Sequence, residues 1–161
     1  MADKLGTCLW FDNQAEEAAK FYTSIFKNSK INTTTYYSEE MADPVNRPVG
    51  SVMTVSFEIE GRPFLALNGG PIFKFNESVS LIVNCKDQEE IDYFWDKLTS
   101  DGGEESMCGW LKDKYGLSWQ IIPENWEEVM KGDSEKARKA LGALMQMKKF
   151  DLAEIEKAMN S

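Results

Sequence analysis

Hydrophobic and polar positions alternate most cleanly in Ser51–Glu60. There Met53, Val55, Phe57 and Ile59 face one way and Thr54, Ser56 and Glu58 the other. A period of two marks a strand with one buried face. Leu5–Phe11 is a short apolar run, Lys30–Tyr37 is rich in threonine and tyrosine, and Ser78–Asn84 sets Val79, Leu81 and Val83 against Ser78, Ser80 and Ile82. Each predicts a strand. Gly61-Arg62-Pro63 turns the chain into a further strand, Phe64–Asn68, which Gly69-Gly70-Pro71 ends. A weak strand is expected at Glu104–Ser106. Cys108–Pro123 then reads as a hairpin, with Met107, Gly109 and Leu111 alternating against Cys108, Trp110 and Lys112. After the turn Asp113-Lys114-Tyr115-Gly116, Leu117, Trp119 and Ile121 alternate with Ser118, Gln120 and Ile122.

Two segments change the period to 3.6. Ala15, Ala18, Ala19, Tyr22, Ile25 and Phe26 share one helical face, with Asn13 and Glu16 at capping-box spacing. Ile91, Phe94, Trp95 and Leu98 share another, capped by Asp87 with Glu90. Ser38–Gly50 carries two prolines and several charges and predicts a loop.

The two halves repeat. Setting Glu16-Glu17 on Glu89-Glu90 pairs Tyr22 with Trp95, Thr7 with Ser80 and Leu9 with Ile82. At the far end Gly61 meets Gly116 and Leu65 meets Gln120, while the helix caps fall one residue out of step. Each half reads β-α-β-β-β, and two such units facing a shared concave space bury their sheets economically. The predicted class is α+β: paired modules at about 1–72 and 73–123, which form one domain over 1–123. A helical extension follows over 124–161. In it Glu124–Met130 is expected to form a short amphipathic turn or helix. Asp133 caps a helix bearing Ala137, Ala140, Leu141 and Leu144, and Asp151 with Glu154 caps another bearing Leu152, Ile155 and Met159. Met145 and Met147 lie between these helices as packing residues.

Composition narrows the chemistry. The 161 residues contain no histidine, so neither the commonest transition-metal ligand nor the commonest general base is available. A net charge of −9 argues against nucleic acid and anionic membranes as partners. Three widely spaced cysteines fit free thiols in a reducing cytoplasm. Neither an 18-residue apolar run nor a charged-then-apolar leader is visible, so no membrane or signal segment is expected.

Several strings carry a family resemblance: Leu9–Phe26, FLALNGGP at Phe64–Pro71, SLIVNC at Ser80–Cys85, and CGWLKDKYGLSWQIIP at Cys108–Pro123. With them the chain resembles the PhnB-like branch of the vicinal oxygen chelate (glyoxalase/bleomycin-resistance) superfamily. That branch is often labelled as a demethylubiquinone methyltransferase domain. The resemblance implies a cupped sheet from paired modules, commonly assembled as homodimers. Metal-dependent members place four ligands in the cup, typically His and Glu, from the first and last strands of each module. Carried through the internal repeat, those slots fall near Thr7, Leu65, Ser80 and Gln120. Two hydroxyls, a leucine and an amide supply no charge to offset dehydration of a dication. No metal and no cofactor are expected. No glycine-rich loop follows a strand as a nucleotide site needs.

The expected cup lining is therefore Thr7, Thr54, Ser56, Leu65, Ser80, Trp110 and Gln120, with Ser118 in the same group. Such a lining suits a small, partly polar organic molecule. Against this, Gln120 is as readily a satisfied core amide, and Ser80 and Thr7 small polar filler. Trp95 and Trp119 fall on helix-packing faces, which leaves Trp110 open to a ligand. Metal-independent binding of a small organic ligand is the first reading. An enzyme of the lyase, isomerase or dioxygenase type is the second, with Glu58 or Cys108 as its weak candidate bases. An assembly domain with a vestigial site is the third. No catalytic residue is assigned.

Overall fold

The computed structural model describes residues 4–132 and 134–161. The chain divides into two units between Lys74 and Phe75. The first contains β1 (Thr7–Phe11), α1 (Ala15–Ile25), β2 (Lys30–Tyr36), α2 (Glu39–Val45), β3 (Val52–Ile59) and β4 (Arg62–Asn68). Its four strands form one mixed sheet in the order β1-β4-β3-β2, with β1 parallel to β4 and the other pairs antiparallel. The predicted alternation decides which face is covered. Leu9, Phe11, Val55, Phe57, Ile59 and Ala66 are buried, together with Ala15, Ala18, Ala19 and Tyr22 of α1. The opposite face carries Cys8, Trp10, Leu65, Leu67, Thr54 and Ser56, none of them fully buried.

Two local expectations fail here. Asn13 does not cap α1: the helix begins at Ala15 with no side-chain cap from the residue before it. The cap comes from across the sheet. The buried Asn68 Oδ1 accepts from Ala15 N at 2.8 Å, and its Nδ2 donates to Val52 O at 3.0 Å. One β4 amide thus ties helix start and neighbouring strand together, which capping-box spacing cannot reveal. The predicted loop Ser38–Gly50 contains α2, held to the body of the unit by Arg47 Nη2 on Asp12 Oδ1 at 3.0 Å.

The second unit contains β5 (Ser80–Cys85), α3 (Gln88–Thr99), β6 (Glu104–Glu105), β7 (Trp110–Lys112) and β8 (Ser118–Pro123). Three helices follow: α4 (Trp126–Lys131), α5 (Ser134–Leu144) and α6 (Leu152–Asn160). Its sheet order is β5-β8-β7-β6, with β5 parallel to β8, so it repeats the first sheet's plan. Asp87 caps α3 as expected, accepting from Glu90 N at 2.9 Å. Ile91, Trp95 and Leu98 are buried, and Phe94 half-buried.

The hairpin's first strand is shorter than alternation predicts. Cys108 and Gly109 have φ of 59° and 82°, left-handed values that interrupt the ladder. Their amides turn to the chain after α5, donating to Met147 O at 2.9 Å and Lys148 O at 2.7 Å. The extension docks at a second point as well. Gln88 Nε2 donates to Phe150 O and Gln88 Oε1 accepts from Leu152 N, both at 2.9 Å. The tail therefore belongs structurally to the second unit. Asp151 caps α6 through Glu154 N at 3.0 Å. Leu141 is 42% exposed, contrary to the expected α5 face, while Ala137, Ala140 and Leu144 are buried. The cap expected at Asp133 lies outside the described residues.

Candidate functional site

Alternation in the second sheet sends Leu81, Val83, Trp119, Ile121 and Leu111 toward buried positions. The strand register places the others in two rows on the open face. Ser80, Ser118, Lys112 and Glu104 align across β5, β8, β7 and β6. Ile82, Gln120 and Trp110 form the next row. Gln120 Nε2 donates to Ser80 Oγ at 2.8 Å, so two of the expected site residues of this unit meet.

Beside these rows lies a cavity of about 490 Å³, within the range of small-molecule sites. Trp110, Met107, Cys108, Lys112, Ser118 and Glu104 are among its walls, and Glu77 closes it from the segment before β5. Lys112 Nζ pairs with Glu77 Oε1. That hydrogen bond holds the Glu77 carboxyl below, and the Lys112 ammonium above, their ordinary ranges, so both stay charged at neutral pH. Ser118 is 1% exposed, and its hydroxyl has no hydrogen-bond partner among the described residues. A buried hydroxyl without a partner is costly and points to a missing group. Ser118→Ala is therefore expected to raise the stability of the unliganded protein by about 1 kcal/mol, measured by urea unfolding. A loss of similar size would show that the hydroxyl is already satisfied.

The first unit distributes its expected site residues differently. Thr54 Oγ1 shares a hydrogen bond with Thr35 Oγ1 at 2.6 Å, and Ser56 Oγ accepts from Thr33 N at 3.1 Å. Both hydroxyls are thus spent between β2 and β3. Leu65 stands on the open face, 38% exposed, aligned with Cys8 and Ser56. Thr7 does not stand there. It aligns with Phe64 and shares the parity of Leu9 and Phe11, the helix-covered face. The reason is linker length. Three residues separate β1 from α1 but two separate β5 from α3, so a repeat aligned through the helices slips by one on the strand. Aligned through the sheets, where Phe11 faces Asn68 and Cys85 faces Pro123, the counterpart of Ser80 is Gly6.

Neither weak base candidate is free. Glu58 accepts from Asn32 Nδ2 at 3.0 Å and pairs with Lys30 at 3.8 Å. The Cys108 thiol rests against Leu144 O and Met145 Sδ, each at 3.7 Å. Cys85 is fully buried, and burial, then Glu90 and Asp87, push its thiol to about 12. Sequence reasoning does not single out Glu104 or Glu77, and places Lys112 only in the hairpin's alternation. The hairpin's alternation and the turn position would have found Lys112 opposite Ser118. Glu77 lies in an irregular segment that no periodicity places.

A family model described as 3-demethylubiquinone-9 3-methyltransferase matches residues 3–122. The chain belongs to that family. It is the PhnB-like branch of the vicinal oxygen chelate, or glyoxalase/bleomycin-resistance, superfamily. A PhnB protein from Bacillus cereus is 35% identical, with 74% of this chain and 99% of that one covered and a TM-score of 0.65. Two more distant structures share the fold. A protein from Pseudomonas aeruginosa is 17% identical, with 76% and 98% covered and a TM-score of 0.60. The fosfomycin resistance protein FosX from Listeria monocytogenes is 13% identical, with 80% and 96% covered and a TM-score of 0.50. No curated protein matches the chain.

The superfamily's metal can be tested against this PhnB-like chain's own donors. Gly6 and Leu65 offer none, and the Gln120 amide is engaged with Ser80. Among the described residues no three His, Cys, Asp or Glu side chains gather as a metal-ion group. Neutral donors of this kind do not fit a transition-metal dication. Among the described residues no helix is long and apolar enough to cross a membrane.

Proposed function

We propose that this PhnB-like protein binds a small organic molecule without a metal ion, in the cavity beside Trp110 on the open face of the second sheet. One observation carries the reading: a buried hydroxyl, Ser118, is left without a partner among the described residues in the wall of a cavity large enough for such a ligand. The surrounding chemistry supports binding over metal-assisted catalysis. The positions matching the superfamily's ligand slots hold a glycine, a leucine, a serine and an amide. Methyl transfer, which the family description names, finds little support in the glycines after β4. A Cβ at Gly69 would run into the Trp10 ring, and one at Gly70 would lie 2.8 Å from Arg47 Nη2. That backbone approaches protein side chains, not a nucleotide.

A thermal-shift screen of small organic molecules in excess chelator tests the proposal. A ligand at a hundred times its Kd adds about 2.7 kcal/mol of stability. The expected hit keeps its shift in chelator and loses it in Trp110→Ala. A shift that needs added zinc or nickel, or one unchanged in Trp110→Ala, overturns the reading.

A further inference from the structure

The helical extension is attached to the second sheet by its joint. Helix α5 packs on α4 and α6, and neither α5 nor α6 lies broadly against a strand among the described residues. The connecting segment, residues 145–151, makes the attachment. Met147 O and Lys148 O accept from the Cys108 and Gly109 amides. Lys148 Nζ reaches Glu105 Oε2 at 3.3 Å, and Lys149 Nζ reaches Asp92 Oδ1 at 2.6 Å. Gln88 holds Phe150 O and Leu152 N. Phe150 is the segment's buried side chain, whereas Met145 is 57% exposed. One buried ring and a set of part-exposed polar bonds describe a segment that opens more readily than the core beneath it. The far ends of these bonds lie in the cavity wall, to which Glu105, Ser106, Met107, Cys108 and Trp110 all belong. Trp110 N donates to Met107 O at 3.1 Å and Ser106 N to Trp110 O at 2.9 Å, which closes residues 106–110 into one turn. Cys108 has φ of 59° there, a left-handed value that is unfavourable for a Cβ-bearing residue. The bonds to residues 147 and 148 offset that cost, and the thiol rests against Leu144 O and Met145 Sδ.

We propose that residues 145–151 are a latch on the cavity wall. Docked, the segment fixes the turn at 106–110 and with it the place of Trp110. Released, it lets Cys108 leave its left-handed backbone and loosens the wall, while the strands of the second sheet stay paired. The latch goes beyond the binding reading and does not depend on what the cavity takes up. The internal strain at Cys108 is what links the two states, since nothing in the turn itself favours the docked backbone at that residue.

Two of the cysteines make the test internal: Cys108 sits under the latch and Cys85 is fully buried in β5. The full chain is alkylated with iodoacetamide over a range of urea below the unfolding transition, and each thiol is followed by peptide mass spectrometry. Opening the latch exposes little surface, so Cys108 labelling is expected to be nearly independent of urea. Cys85 labelling needs the unit to unfold and should rise steeply with urea. Gln88 is not a cavity wall, and Gln88→Ala removes two hydrogen bonds to the latch. That variant should speed Cys108 labelling about tenfold. The Trp110 indole N–H resonance, assigned by its loss in Trp110→Phe, should move in Gln88→Ala as the wall loosens. If Cys108 labelling rises with urea as steeply as that of Cys85, the segment leaves only on unfolding and the latch falls. If it is shallow in urea but unchanged in Gln88→Ala, the thiol reacts from the docked form and the latch falls as well. A Trp110 resonance that stays in place in a variant with faster Cys108 labelling overturns the link between latch and cavity.

Discussion

Asp113→Ala is expected to cost about 4 kcal/mol of folding stability, because one buried carboxylate serves three donors at once. Asp113 is 2% exposed. Its Oδ1 accepts from Tyr115 N at 2.9 Å and Leu117 N at 3.1 Å, and its Oδ2 from Trp119 Nε1 at 2.9 Å. Alanine strands all three, and each buried donor left without an acceptor costs about 1–3 kcal/mol. The Tyr115 amide is only part-buried, so water reclaims some of the loss. Asn is the informative control. Its carbonyl can keep the two backbone amides, but its NH2 then faces the Trp119 N–H, donor against donor. Asp113→Asn should therefore lose about half as much, roughly 2 kcal/mol. Urea unfolding with an unchanged m-value is the measurement. If Asp113→Ala loses less than about 1 kcal/mol, the carboxylate is not what holds the turn.

Gly109→Ala is the second large effect, at about 3 kcal/mol. Two costs combine. The left-handed φ of 82° strains any Cβ-bearing residue by about 1–2 kcal/mol. The added methyl would stand 2.7 Å from Phe150 Cε2 and 2.9 Å from Ile121 O, an overpacking worth about 1–3 kcal/mol. Phe150 is 1% exposed and packs edge-on against Trp126 at 5.0 Å, so its ring has little room to retreat. Phe150→Ala alone should cost about 3–5 kcal/mol. The double variant should be less unstable than the sum, because removing the ring removes one of the two clashes. Strict additivity would mean that the ring is not the obstacle and that strain with the Ile121 carbonyl carries the whole cost.

Much of this architecture was legible in the alternation. The covered and open faces of β3, β5 and β8 are those that the polar and apolar positions assign, and the α1 stripe is buried throughout. The failures share a cause: each depends on a partner distant in sequence. Asn13 has the right spacing for a cap, but Asn68 reaches Ala15 first. Cys108 continues an alternating pattern, yet the carbonyls of Met147 and Lys148 draw the backbone out of the ladder. Thr7 was misplaced by one residue, and the signal for it was present, since the two helix caps already ran out of step. That offset measures the longer β1–α1 linker, and applying it to the strand would have pointed to Gly6. At the cavity Trp110 follows from register, as do Ser80 and Gln120, which stand on the same face but do not line it, whereas Glu77 and the lack of a Ser118 partner among the described residues emerge only from packing.

The clasp of Gln88 on Phe150 and Leu152 has a consequence for the order in which the protein takes shape during synthesis. Every strand and helix of the first unit is complete once Lys74 has been made, so that unit can fold while the remainder is still being translated. The second unit cannot finish on the same schedule. Its hairpin amides at Cys108 and Gly109, the Gln88 side chain and the Phe150 wedge all find their partners only when residues 147–152 emerge. Until then a sheet with the Trp110 cavity at its edge stands without its backing, which makes the emergence of residues 147–152 the step that completes the cavity's surroundings.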